Sequence, residues 1–254
     1  MQVDCHSHIL PGVDDGARTL EQSLVMARVA VAQGTDRMFA TPHGYTSSFH
    51  VDPHVILEKT RVLHTALQEA QIPLKVLPGM EVHHFVRAHG GESEDLLRLQ
   101  QQSALGLGGY RNPRHVLLEF SFDDWPRDAG DTLRQCKMAG IQVVLAHPER
   151  YIALQKSPDL IEQALEQGAW MQLTSGSILG RFGSKAQELS RLWLSQGYIH
   201  IVASDAHGPT RPPGLQEAYD HIEREWGLGE WGQRCQDNAE SIWETALSEM
   251  AKQA

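Results

Sequence analysis

The feature that most constrains this chain is the regular return of polar residues at the ends of short apolar stretches. Strand-like apolar segments alternate with helix-like amphipathic segments, and His, Asp, Glu or Thr follows each apolar segment. The seven markers of this pattern, spaced 27 to 38 residues apart, are His8, His43, Glu81, Glu119, His147, Thr174 and Asp205. Each interval is about one strand plus one helix. The spacing therefore predicts seven parallel strands with polar carboxyl ends.

Two α/β architectures accommodate such a series. In a (β/α) barrel all strand ends face one mouth, whereas an open doubly wound sheet gathers its ligands at a switch point. Because nearly every strand here ends in a polar residue, we predict a distorted seven-stranded (β/α)7 TIM-like barrel. The length of 254 residues suits one domain over residues 1–254, with the helical stretches after Gly214 closing the end of the barrel.

Composition excludes several classes of function. The net charge is −10 and no run of Lys or Arg occurs, which argues against non-specific binding to nucleic acid or anionic membranes. Three cysteines, Cys5, Cys136 and Cys235, are too few for a disulfide framework and indicate a reducing compartment. His6 and Asp14 interrupt the place of a signal-peptide core, and no apolar window approaches the ~20 residues of a membrane span. We expect a cytoplasmic protein.

The polar residues near the strand ends are all types that bind metals. His6 and His8 point the same way because side chains in extended chain repeat every two residues, although His-x-His alone is equally consistent with a polar N-terminus. The full candidate set comprises nine residues: His6, His8, Asp15, His43, Glu81, Glu119, His147, Asp205 and His207. Nine ligands are too many for one tetrahedral ion and suit two or three divalent ions, with manganese, iron and zinc all compatible.

Short motifs around these residues carry a family resemblance over essentially the whole chain. The motifs are His6-x-His8, Asp15-Gly16, Thr41-Pro42-His43, Glu81, Glu119-Phe120, His147-Pro148-Glu149-Arg150 and Ser204-Asp205-x-His207. Together they resemble the polymerase and histidinol phosphatase (PHP) family. Asp14-Asp15-Gly16, His147-x-Glu149-Arg150 and Arg211-Pro212-Pro213 are further similar to its bacterial protein-tyrosine phosphatases of capsule and exopolysaccharide operons.

The resemblance implies the PHP fold and a partition of the ligands among three metals. The first metal would be held by His6, His8, Glu81 and Asp205, the second by Glu81, Glu119 and His147, and the third by Asp15, His43 and His207. Asp14 is the weaker of the acidic pair, since the family's ligand directly precedes the glycine. Manganese is the expected ion, with iron or zinc as alternatives. The implied substrate is phosphotyrosine in a protein, the C-terminal tail of a bacterial tyrosine kinase that regulates polysaccharide synthesis or export.

Hydrolysis of a phosphate ester needs a nucleophile and a means to stabilise phosphoryl charge. A hydroxide bridging two metals would serve as nucleophile, because the ions lower the pKa of bound water. Arg150 and Arg211 are our candidates for binding phosphoryl oxygens; the alternative for Arg150 is a salt bridge to a nearby carboxylate such as Glu149. The cysteine route is closed, because no Cys is followed six positions later by Arg.

Three other functions remain open at this stage. A small-molecule phosphatase such as histidinol-phosphate phosphatase would use the same centre. An exonuclease-like proofreading module is disfavoured by the acidic charge, and a metal-holding regulatory subunit without turnover is disfavoured by the complete ligand set. His83 and His84 could line the mouth. Five aromatic residues in the loops after the strands could grip a substrate ring or equally pack the loops down: Tyr45, Phe49, Phe85, Phe122 and Trp125.

Overall fold

The computed structural model describes residues 2–46, 48–84, 94–101, 104–110 and 112–253. Within these ranges it contains nine short strands and ten helices. The strands are β1 Gln2–Asp4, β2 Thr35–Ala40, β3 His43–Gly44, β4 Lys75–Pro78, β5 Glu81–His83, β6 His115–Glu119, β7 Gln142–Ala146, β8 Trp170–Thr174 and β9 Ile201–Ala203. The helices are α1 Leu20–Ala32, α2 Pro53–Glu69, α3 Glu94–Gln100, α4 Ala129–Met138, α5 Ile152–Lys156, α6 Leu160–Glu166, α7 Ser175–Ile178, α8 Ser184–Ser195, α9 Leu215–Arg224 and α10 Gly229–Gln253, with a 3₁₀ turn over Pro148–Arg150.

Local sequence signals account for where the first two long helices begin. The Thr19 side chain accepts the amide of Gln22, and the Gln22 side chain accepts the amide of Arg18 at 2.8 Å. Asp52 caps α2 by accepting the amide of His54, and Pro53 occupies the first turn, where its missing N–H costs nothing. Both helix starts are thus encoded by residues next to them in the sequence.

All strand pairs are parallel and form two sheets. One sheet has the order β1-β2-β4, and the other has the order β3-β5-β6-β7-β8-β9. If β2 with β3 and β4 with β5 each count as one interrupted strand, the chain has the predicted seven strand positions. The interruptions were not predicted; Pro42 lies in one and Pro78-Gly79 borders the other, and proline cannot donate to a ladder. Across the break, the Glu81 amide donates to the Pro42 carbonyl at 3.1 Å.

The first and last strands meet beyond their regular ends. A parallel bridge joins Ser7 to Ala206. Next to it the His8 amide donates to the Ala206 carbonyl, and the Asp205 amide donates to the His6 carbonyl, each at 2.8 Å. Residues from opposite ends of the chain are thereby brought to one place, as the predicted TIM-like arrangement requires.

Apolar side chains fill the space that the strands enclose, and α10 covers one end of this space. Phe39, Leu117, Val144 and Ile201 are fully buried there. Trp243 of α10 packs edge-on against Phe39 with 5.2 Å between ring centroids. The polar residues therefore gather at the other end, where the strands finish. None of the described helices is long and apolar enough to span a membrane.

Candidate metal centre

Nine predicted ligands converge at the ends of the strands. His6 and His8 follow β1, His43 opens β3, Glu81 opens β5, Glu119 ends β6, His147 follows β7, and Asp205 and His207 follow β9, while Asp15 comes from the turn before α1. All are buried except Asp15, which is exposed, and His43 and His207, which are half-buried. The centre is thus enclosed on the protein side and open on the side of Asp15.

Two of these residues have backbones in the left-handed region. His147 has φ 34° and Asp205 has φ 51°, a conformation that costs free energy for residues other than glycine. The surrounding hydrogen bonds hold them there: the His147 amide donates to Gln172 Oε1 and the Asp205 amide to the His6 carbonyl. Both turns aim a side chain into the centre.

The tautomers of His6 and His8 are determined by neighbours outside the centre. His6 Nδ1 lies 3.0 Å from Gln172 Oε1, and His8 Nδ1 lies 2.6 Å from Asp14 Oδ2. Both partner atoms are acceptors, since Gln172 Oε1 also accepts the His147 amide, so each Nδ1 carries the hydrogen. The two Nε2 atoms then face one another at 3.1 Å, and two lone pairs so placed repel unless a proton or a metal cation lies near both.

Carboxylate oxygens surround the same two nitrogen atoms at similar distances. Asp205 Oδ1 lies 3.4 Å from Nε2 of both His6 and His8. Glu81 oxygens lie 3.4 Å from Nε2 of His6 and 3.5 Å from that of His8. Two ligands that share one ion at about 2.1 Å are about 3.0–3.5 Å apart. The predicted first group therefore has the spacing of a single coordination sphere.

The second and third predicted groups also assemble. His147 Nε2 is 2.9 Å from Glu81 Oε1 and 3.6 Å from Glu119 Oε1. Asp15 Oδ1 is 3.5 Å from His43 Nε2 and 3.4 Å from His207 Nε2, and the Nδ1 of His207 is held by the Asp205 carbonyl at 2.9 Å. His43 Nδ1 also reaches Glu81 Oε2 at 2.8 Å. His43 therefore lies between the two groups, so the three clusters are contiguous.

The donor set fits divalent cations. Glu81 Oε2 and His43 Nδ1 are buried 2.8 Å from each other, and neither has a further hydrogen-bond partner among the described residues. Burial lowers the pKa of His6 and His8, yet the nearby carboxylates outweigh it and raise both above their ordinary value. The imidazoles conversely hold the pKa of Glu81 well below its ordinary value despite burial. Positive charge is therefore stabilised here, and neutral imidazoles with carboxylates suit manganese, iron or zinc.

Arg150 and Arg211 meet at the outer oxygen of Asp205. Arg150 Nη1 donates to Asp205 Oδ2 at 2.6 Å, and Arg211 Nη2 donates to the same atom. The salt bridge weighed for Arg150 thus exists, but with Asp205 rather than Glu149. Glu149 is fully buried and accepts the Thr174 amide at 3.1 Å. The arginine side chains remain 17% and 28% exposed, so both can be reached from solvent.

Several residues around the centre were missed or ranked low from the sequence. Asp14 was placed below Asp15, and Gln172 and Phe182 were not singled out at all. Only the position of Gln172 in β8, two residues before a predicted strand end, could have pointed to it. His83 Nδ1 contacts Glu119 Oε2 at 3.1 Å, whereas the buried His84 pairs with Asp128 at 3.2 Å.

Two of the aromatic residues in the loops stack on candidate ligands, and two others pack on neighbouring rings. Phe49 stacks on His43 with 5.8 Å between centroids, and Phe122 stacks on His147 at 5.5 Å. Trp125 packs on Phe120, and Tyr45 lies edge-on to His50, while Phe85 lies outside the described residues. These contacts fit the packing alternative for the four that are described.

The chain matches one protein family over nearly its whole length. The sequence profile of the family described as "Capsular polysaccharide synthesis, CpsB/CapC" matches residues 2–244. Tyrosine-protein phosphatase YwqE of Bacillus subtilis is 38% identical over 226 residues, covering 89% of this chain and 85% of that protein. Tyrosine-protein phosphatase CpsB of Streptococcus agalactiae serotype V is 31% identical over 246 residues, covering 94% and 97%.

Solved structures support the same grouping. A crystal structure reported for YwqE of Bacillus subtilis and CpsB of Streptococcus pneumoniae, named as metal-dependent tyrosine phosphatases, superposes with a TM-score of 0.85 at 37% identity, covering 94% of this chain and 93% of that one. A lactonase from Listeria monocytogenes, with a TM-score of 0.54, 12% identity and coverage of 93% and 92%, shares the fold alone. By sequence and structure together, the chain belongs to the CpsB/CapC family of capsular polysaccharide synthesis proteins.

Proposed function

We propose that this protein is a metal-dependent protein-tyrosine phosphatase. The observation that supports it most is the convergence of nine candidate ligands around two imidazole nitrogens only 3.1 Å apart, beside two arginines on one carboxylate oxygen. The relatives YwqE and CpsB are named tyrosine-protein phosphatases. The substrate that we propose, as the sequence motifs imply, is phosphotyrosine in the C-terminal tail of a tyrosine kinase that regulates polysaccharide synthesis or export, in the cytoplasm.

Different residues of the chain would hold each metal ion and orient its ligands. His6, His8, Glu81 and Asp205 would hold one ion, Glu81, Glu119 and His147 a second, and Asp15, His43 and His207 a third, with manganese as the expected metal. Bound ions would supply a nucleophilic water of lowered pKa and neutralise phosphoryl charge. Gln172 and Asp14 keep the lone pairs of His6 and His8 turned inward.

The arginines complete the site for phosphate. Each uses one N–H on Asp205 Oδ2 and keeps further N–H groups to donate to phosphoryl oxygens. Charge that grows on these oxygens during an in-line attack is stabilised by such preplaced donors. Because a phenol has a pKa near 10, its departure needs less protonation than that of an alkyl alcohol. The arrangement therefore suits an aryl phosphate.

The proposal is tested by assaying protein purified without chelator and supplied with manganese. We expect hydrolysis of a phosphotyrosine peptide with much higher kcat/KM than of histidinol phosphate, and no degradation of single-stranded DNA. His6→Ala should lose bound metal and hydrolysis while keeping its folded circular dichroism spectrum. Preference for histidinol phosphate would make the protein a small-molecule phosphatase, and inactivity with three metals bound would make it a regulatory subunit.

Arg150→Ala tests the role of the arginines. We expect metal content close to that of the unaltered protein and a fall in kcat/KM of about 10²-fold, typical of losing one preplaced donor. Arg134→Ala, which removes an exposed arginine paired with Asp131, is the matched control and should change neither quantity. Unchanged turnover in Arg150→Ala would show that Arg150 only balances the charge of Asp205.

A further inference from the structure

We propose that Phe182 is a positioning residue whose ring holds the guanidinium groups of Arg150 and Arg211 together at the metal centre. The inference rests on the proposed function and extends it, because it concerns how the two arginines are kept ready for a phosphoryl group. Phe182 lies in the turn between α7 and α8, far in sequence from Arg150 and outside the motifs that identify the centre.

The ring of Phe182 is in contact with both cations. Arg150 Cζ lies 4.4 Å from the ring centroid, and Arg211 Cζ lies 5.4 Å from it. Both distances are within the range of about 6 Å in which a cation is attracted to an aromatic face. Arg150 also lies over Phe122 at 5.1 Å. Phe182 is thus the aromatic side chain that the two arginines share in the described part of the protein.

Two like charges on one carboxylate oxygen need such support. Asp205 Oδ2 accepts hydrogen bonds from both arginines, but it carries at most one negative charge, which also faces the metal ligands. Two guanidinium cations that share this one acceptor atom repel one another. The negative face of the ring offsets part of this repulsion and limits the directions in which each guanidinium can swing.

The local backbone places the ring for this contact. A Cβ at Gly176 in α7 would lie 2.6 Å from Phe182 Cε2, so the ring can approach only because this residue is glycine. Gly180 and Gly183, on either side, have φ of +75° and +91°, the left-handed region that glycine adopts without cost. The turn is therefore built to bring the ring close to α7.

The surroundings of Phe182 distinguish it from an ordinary packing residue. Its ring is half-buried and lines, with Arg211 and Pro212, a cavity of about 90 Å³ beside the centre. A side chain that only filled the core would be enclosed by apolar neighbours. Here the ring contacts two guanidinium groups and also borders this cavity.

The test compares Phe182→Leu, which keeps apolar volume but removes the aromatic face, with Phe182→Tyr, which keeps it. For Phe182→Leu we expect kcat/KM on a phosphotyrosine peptide to fall, and the inhibition constant for inorganic phosphate to rise, each about three- to tenfold. The metal content should stay unchanged. Phe182→Tyr should stay within twofold of the unaltered protein. Should Phe182→Leu fail to fold, Phe182→Met removes the same face.

A matched control lies on α10, where Arg234 stacks on Trp231 at 4.7 Å. Trp231→Leu removes an arginine-stacked aromatic side chain away from the strand ends, and it should leave both constants unchanged. A loss of the same size in Trp231→Leu would mean that the Phe182 effect reports general destabilisation, which would overturn the inference.

A double-mutant cycle shows whether Phe182 acts through the two arginines or independently of them. In protein that already carries Arg150→Ala and Arg211→Ala, adding Phe182→Leu should change the phosphate inhibition constant by less than twofold. A full additional loss would overturn the inference. If the arginine variants themselves leave turnover unchanged, their role in the proposed function fails. If they impair turnover and Phe182→Leu does not, only the inference about Phe182 fails.

Discussion

Single residues outside the set of candidate ligands determine how those ligands are oriented. Asp14 is the clearest case, because its Oδ2 accepts both the His8 Nδ1–H and the His43 amide at 2.6 and 3.0 Å, while its Oδ1 accepts the Gly16 amide. Salt-bridge geometry with His8 keeps the pKa of Asp14 far below its ordinary value although burial raises it. Asp14 is therefore ionised and orients two ligands at once.

Asp14→Asn tests this role. An asparagine has one acceptor oxygen and no charge, so it cannot serve His8, His43 and Gly16 together, and His8 gains freedom to turn. Losing such a partner of a metal-bound histidine lowers metal affinity about 10–100-fold. Competition with a fluorescent chelator measures it. Asp52→Asn, at the cap of α2, is the control and should bind metal normally; equal affinity in both variants would contradict the assignment.

At the scale of elements, the turn that precedes α1 determines where Asp15 lies. The His8 carbonyl accepts the Ala17 amide at 3.0 Å, and the Gly12 amide donates to the Ala17 carbonyl at 2.7 Å. A Cβ at Gly16 would lie 2.1 Å from the His8 carbonyl oxygen. The turn thus packs directly against the strand extension that carries the histidines.

Gly16→Ala should force this turn away from β1. We expect a loss of about 1–3 kcal/mol in the free energy of unfolding, the usual cost of overpacking, and weaker binding of the metal at Asp15, His43 and His207. Urea denaturation and metal titration check the two effects. Gly130→Ala is the matched control, since a Cβ there has no neighbour nearer than 3.9 Å and alanine favours helix. Normal metal binding in Gly16→Ala would show that the turn is not needed.

For the whole molecule, two histidines remote from the centre make stability depend on pH. His115 and His200 flank Trp170, with 6.0 and 5.4 Å between ring centroids. Burial lowers the pKa of each from 6.5 to about 4. His200 Nδ1 also accepts the Met171 amide at 3.2 Å, which protonation would prevent. His115 and His200 therefore bind a proton less readily in the folded state than in the unfolded chain.

The difference in histidine pKa between the folded and unfolded states determines how stability changes with pH. Because the folded pKa is the lower one, stability is full above pH 6.5 and falls between pH 6.5 and about 4. We expect a loss of about 1–3 kcal/mol for each histidine over this window. Urea denaturation of chelator-treated protein at several pH values measures it without the contribution of metal release.

His200→Gln isolates one of the two contributions. Glutamine keeps an acceptor for the Met171 amide but does not titrate, so the decline of stability between pH 6.5 and 4 should become smaller. His54→Gln, at an exposed position of α2, should keep the full decline. If both variants lose stability on acidification as steeply as the unaltered protein, His200 is not responsible for the decline.

The sequence by itself determined which polar residue types stand at the strand ends and which strands carry them. These are local properties: a parallel strand followed by a polar residue can be recognised from a few neighbouring residues, and the spacing between units restricts the topology. The caps at Thr19 and Asp52 are equally local. The structure confirms the predicted strand ends at Glu119 and Ala146-His147.

Only the tertiary structure decided how these residues act together. Gln172 orients His6 across 166 positions of sequence, and Arg150 reaches Asp205 across 55; no local pattern encodes either contact. The interruptions between β2 and β3 and between β4 and β5 likewise depend on pairing with a neighbouring strand, because β2 pairs with β4 in one sheet and β3 pairs with β5 in the other. The tautomers of His6 and His8, the sharing of Asp205 by two arginines and the contact of Phe182 with those arginines all depend on side-chain atoms a few ångströms apart. Such distances exist only once the chain has packed.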